Sequence, residues 1–168
     1  MFKGGLDLKS IKILILFVLL FFLVACSKET NSKEHLGQIY RIALESIMEK
    51  DTALDHNKKF IAIDMSNLND LNAKDKNDIL IYFKEKYKVP VMNRTFDELK
   101  AKGLYNKDTM VLEGVLLKIE KVDYKFNNNV IFTGSKYRSG TGAIGVESTV
   151  HFKDGKWQLK ESKVDWIS

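Results

Sequence analysis

The chain is poor in the residues that staple, ligate and kink. Its 168 residues include one cysteine, Cys26, and one proline, Pro90. A single thiol excludes an internal disulfide framework and any cysteine-rich zinc site. The three histidines, His35, His56 and His151, share no metal-ligand spacing, so no structural metal is expected. Arginine, the side chain best suited to forked phosphate contacts, occurs only at positions 41, 94 and 138. The net charge is a modest +5, and the lysines are scattered among Asp, Glu and Asn. No nucleic-acid partner is therefore expected. Long apolar runs are missing too. The longest, Ile13 to Ala25, holds thirteen uncharged residues. At about 1.5 Å per residue such a helix is about 20 Å long, short of the ~30 Å hydrocarbon core, which argues against a permanent span.

What is there begins with that run. Lys3, Lys9 and Lys12 precede it, and Leu23-Val24-Ala25-Cys26 closes it. A basic segment, a short apolar segment and a small residue before a cut make a signal peptide over residues 1–25. The competing reading is an uncleaved signal anchor. Leu-x-Ala directly before the only cysteine resembles the lipobox of bacterial lipoproteins. The resemblance implies cleavage before Cys26, a thioether-linked diacylglycerol on its sulfur, and residence on the extracytoplasmic face of the cell membrane. Two acyl chains hold where one would detach. A buried-core role for Cys26 fits poorly, because Ser27 to Glu34 is polar throughout. The lysine and asparagine content favours a Gram-positive source; in a Gram-negative one, Ser27 in place of an aspartate after the cysteine would imply an outer-membrane site.

Residues 26–34 read as a lipidated tether, too polar to bury surface. Residues 35–168 read as one α+β domain. Leu36, Ile39, Tyr40, Ala43, Leu44, Ile47 and Met48 give a helix that runs to about Asp51. Phe60 to Ile63 reads as a strand. Asn72 caps a second helix with Ile79, Leu80, Phe83 and Tyr87 on its apolar stripe. Val89-Pro90-Val91 ends it in extended chain. Thr95 to Glu98 is a capping box, opening a short helix that Gly103 terminates.

The period then changes. Val115, Leu117 and Ile119 alternate, Val122 and Tyr124 shift parity, and a bulge near Glu120 is expected. Asn127 to Asn129 is a turn, and Val130 to Tyr137 is a strand. Val146 to Phe152 is another, with Val146, Ser148, Val150 and Phe152 inward. Asp154-Gly155 predicts a two-residue hairpin pairing Phe152 with Trp157 and Val150 with Leu159. The expected fold is N-terminal helices packed on a C-terminal four-stranded antiparallel sheet, similar to cone-shaped folds of the cystatin and nuclear-transport-factor types.

Candidate chemistry is sparse. Gly140 to Gly145 matches G-x-G-x-x-G, but a strand rather than a helix follows it, so no dinucleotide cofactor is expected. Lys136, Tyr137 and Arg138 lead into glycines 140 and 142, and cations beside exposed amides form a candidate anion-binding loop. Asp64, Asn67, Asn69 and Asp70 lack the glycine and closing glutamate of a calcium loop and read as turn chemistry. No catalytic set stands out and no G-x-S-x-G occurs. The least poor acid–base pair is His151 with Glu147.

Lys136 to Gly145, then Asp154 to Trp157 and the closing Trp166-Ile167-Ser168, resemble a tail found in short uncharacterised lipoproteins of the Bacillus group. That resemblance brings no catalytic residues. The leading expectation is a non-enzymatic surface domain that binds a small ligand or a protein partner. A small enzyme acting on envelope polymers and an accessory subunit of an envelope complex are the alternatives.

Overall fold

The computed structural model describes residues 32–168. The leader, Cys26 and the tether up to residue 31 lie outside the described residues. Ser32–His35 forms a short 3-10 turn, which takes in the last residues of the stretch read as tether. Helix α1, Leu36–Met48, follows and buries Ile39, Tyr40, Ala43, Leu44, Ile47 and Met48. It ends before the expected Asp51, which takes a left-handed conformation with φ 45° that no α-helix can contain.

Strand β1, Ile61–Asp64, helix α2, Ala73–Tyr87, and strand β2, Val91–Asn93, form a βαβ unit. The Asn72 side chain accepts from the Asp75 amide at the start of α2, as its sequence predicts. Helix α3, Phe96–Ala101, opens with the expected capping box between Thr95 and Glu98. The Gly103 backbone, at φ 72°, terminates it. Strands β3, Tyr105–Asn106, β4, Val111–Lys125, β5, Asn129–Ser139, β6, Gly142–Lys153, and β7, Lys156–Ile167, complete the chain.

The fold is α+β, and the expectation of a four-stranded sheet is corrected here. β4 to β7 do form an antiparallel meander, but they belong to a seven-stranded sheet in the order β2-β1-β4-β5-β6-β7, with β3 also on β4. β1 pairs in parallel with both β2 and β4. All four β1 residues are buried, so β1 lacks the alternation of a half-exposed strand. Its two faces feed separate cores. Ile61 and Ile63 join the main core under α1 and α2. Phe60 and Ala62 join a smaller one with Leu99, Leu112 and Leu116.

The register carries two further expectations. A bulge between Ile119 and Lys121 sets the extra residue, Glu120, aside and returns Val122 and Tyr124 to the α1 face. Phe152 faces Trp157 and Val150 faces Leu159 across the Asp154-Gly155 turn, with φ of 53° and 77° at the two turn residues. Helix α1 approaches closely over Gly134, where an added Cβ would lie 2.6 Å from the Ile47 δ-methyl. β7 is one outer edge of the sheet, with β2 at the other, and its pairing to β6 shifts register twice.

The end of α1 is fixed by a buried cation. The Lys136 side chain has no solvent exposure. Its ammonium donates to the carbonyls of Met48 at 2.9 Å, Lys50 at 2.8 Å and Asp51 at 3.1 Å. It also pairs with the Asp55 carboxylate at 2.5 Å. Burial holds its pKa below the ordinary lysine value, against the pull of Asp55. Two residues on, the Arg138 guanidinium donates to the carbonyls of Leu54 at 2.8 Å and His56 at 2.7 Å. Removing the ammonium strands a carboxylate and several carbonyl oxygens. Lys136→Met is expected to destabilise the fold by about 3–5 kcal/mol, the usual cost of breaking a buried pair. Urea unfolding measures it, and adding Asp55→Asn should recover part of the loss.

Candidate functional site

The residues read as an anion-binding loop are not gathered around a ligand position. Lys136, Tyr137 and Arg138 lie within β5, and Gly142 begins β6, so the turn is only Gly140-Thr141. Lys136 and Arg138 point to the α1 side and hold the segment after α1, as described above. Tyr137 points to the other side and meets the Phe96 ring edge-on at 5.2 Å between centroids. The cations are thus occupied by the protein's own carbonyl oxygens. Sequence spacing placed them together, but alternation along the strand separates them.

Glu147 and His151 share the outer face of β6, yet four residues of strand separate them by about 13 Å. The Glu147 carboxylate pairs with Lys163 at 2.8 Å on the adjacent strand. Proton transfer between the two side chains is out of reach. Among the described residues no group of three or more His, Cys, Asp or Glu could hold a metal ion. None of the described helices is long and apolar enough to cross a membrane.

The stretch read as turn chemistry contains the better site. The Asp64 carboxylate accepts from the backbone and hydroxyl of Ser66, and the Asn67 amide donates to the Ile119 carbonyl. These bonds fix the loop on the sheet beside the Glu120 bulge. They carry Asp70 to the N-terminal end of α1, where two phenols meet it. Tyr40 donates to both carboxylate oxygens, at 2.9 and 2.7 Å. Tyr124 donates to one of them at 2.9 Å. The two tyrosines differ in exposure. Tyr40 is buried at 2 % and stacks edge-on against Phe132, whereas Tyr124 is 47 % exposed.

Two hollows share Asp70 as a wall. One, of about 320 Å³, lies over the bulge between Tyr40, Leu68 and Val122. The other, of about 710 Å³, is bounded by Ser32, Lys33, Leu36 and Tyr124. A carboxylate between walls of mixed apolar and polar residues, with phenol oxygens beside it, offers acceptors to an amine or hydroxyl. The sequence contained a signal for this shelf. The bulge at Glu120 turns Tyr124 to the same side as Tyr40, and the Asn-rich turn before α2 supplies Asp70.

Comparison with protein-family models, curated proteins and solved structures returns no match.

Burial, reinforced by the Asp70 carboxylate, pushes the Tyr40 phenol well above its ordinary pKa. The same two causes push Tyr124 up from 10.0 to about 12. The folded state therefore holds these protons longer than the unfolded chain. Stability is fully present below pH 10 and falls as pH rises through 12. In an ultraviolet phenolate titration, Asp70→Ala should bring the Tyr124 transition down toward 10, with burial alone holding it above that value. An unchanged transition would show that Asp70 does not set it.

Proposed function

We propose that the chain is an exported lipoprotein, anchored by a diacylglycerol on Cys26 to the extracytoplasmic face of the cell membrane, and that its domain binds rather than catalyses. The Leu23 to Cys26 motif and the basic, short apolar leader support the address. The observation that carries binding is Asp70, a carboxylate held by two phenols on the wall shared by two hollows. Its ligand is a small molecule, or a protein side chain, with an amine or hydroxyl head and an apolar body. The head meets Asp70, and the body lies along Leu36 and Tyr124. A helix laid across a curved meander suits this role, and the cone-shaped cystatin and nuclear-transport-factor types remain the proposed finer class of fold. A Gram-positive source is part of the same reading.

Two experiments test the proposal separately. Metabolic labelling with an alkyne fatty acid should mark the wild-type protein, and Cys26→Ala should lose both the label and the membrane fraction. Retention of both in the variant overturns the anchor. For binding, thermal shift with a panel of amphipathic amines and alcohols should raise the Tm of the wild type and leave Asp70→Ala unmoved. Equal shifts in the two proteins would remove Asp70 from the site.

A further inference from the structure

Phe126 is 95 % exposed, the most exposed of the large apolar side chains among the described residues. It opens the three-residue β4–β5 turn, which Asn127 and Asn128 close in left-handed conformations, with φ of 63° and 55°. A single exposed apolar residue is ordinary on a protein surface. Its place in the molecule is what gives this one a meaning.

The β4–β5 and β6–β7 turns lie at one end of the meander, where the Phe152 amide donates to the Asn128 carbonyl at 3.0 Å. The N-terminal end of the described chain is there too. Ser32, Lys33 and Leu36 share a hollow with Tyr124, two residues from Phe126. Cys26 is six residues before Ser32. Extended, that stretch spans at most about 20 Å, so a lipid on Cys26 keeps this end of the sheet near the bilayer. The opposite end, with the Gly140-Thr141 turn, points away.

Charge agrees with that orientation. Lys125, Lys153 and Lys156 flank the two turns, against Asp154 in the second turn and Asp123, which pairs with Lys125 at 2.5 Å. Phenylalanine, like leucine, serves on the apolar face of segments that bury into the boundary between headgroups and acyl chains, and lysines favour an anionic leaflet.

We infer that the β4–β5 hairpin tip, led by Phe126, is a second membrane contact that inserts at the lipid interface and fixes the domain's orientation on the bilayer. The inference rests on the lipid anchoring proposed above. With two points of attachment instead of one, the body cannot swing about its tether, and the Asp70 hollows face the membrane side.

The test uses the full-length chain, processed and purified from bacterial membranes, with Phe126→Cys or, as the distal control, Thr141→Cys. A thioether on Cys26 leaves the new cysteine as the only reactive thiol. Each is labelled with an environment-sensitive fluorophore and reconstituted into vesicles of phosphatidylglycerol and phosphatidylcholine, with or without brominated acyl chains. Flotation reports the anchor, and quenching reports the contact. The expected result is that both proteins float, that the label at 126 shifts to the blue and loses most of its emission to the brominated lipid, and that the label at 141 does neither. Proteins that float with 126 unquenched, or with 126 and 141 quenched alike, overturn the second contact and leave the anchor standing. Failure to float, with a second thiol taking up label, overturns the anchor and the contact with it.

Discussion

One buried ammonium organises the end of this domain distal to Asp70, where α1 stops. A helix ends with carbonyl groups that no longer have partners within it, and its C-terminus carries partial negative charge. Here α1 ends over the sheet, with the Met48 carbonyl buried and those of Lys50 and Asp51 partly so. Lys136 reaches up from β5 to the Met48, Lys50 and Asp51 carbonyls and to Asp55. Arg138 continues the same work at Leu54 and His56. Strand β5 therefore dictates where α1 stops and how the chain turns back toward β1. The desolvation cost of a buried lysine is offset only because four oxygens converge on it.

That arrangement also decides where binding chemistry can lie. With the β5 cations engaged internally, the distal end offers no ready anion site. The opposite end of α1 offers a carboxylate instead, presented by a loop tied to the Glu120 bulge. Charge in this fold is thus divided along the helix, with cations closing its C-terminal end and an acceptor shelf beside its N-terminal end.

Much of this was legible from local pattern. Asn72, Thr95 with Glu98, Gly103 and Asp154-Gly155 all act as caps and turns, because each depends only on residues within a few positions of itself. The bulge was legible as a slip in parity between Ile119 and Val122. The parallel strands were not. β1 is buried on both faces and β2 has three residues, so neither shows a period that would place it in the sheet. The grouping of the candidate loop residues differs for a related reason. Lys136, Tyr137 and Arg138 are neighbours in sequence, but neighbours on a strand face apart. Tyr40, Asp70 and Tyr124 are distant in sequence, and only the packing of α1 on the sheet unites them. Sequence shows what a residue is made of more readily than which oxygen it will find.

Under the proposed membrane anchoring, the outer strand β7 has a further bearing. Molecules confined to a plane meet at high effective concentration, and a long unpaired strand invites neighbours to zip together. β7 slips register twice against β6, and it carries Lys156, Lys160 and Lys163 along its length. A kinked margin on which Glu161 and Asp165 intersperse the lysines cannot run straight beside its own copy. Crowded shoulder to shoulder, such chains would remain separate bodies and not fuse into a continuous ribbon.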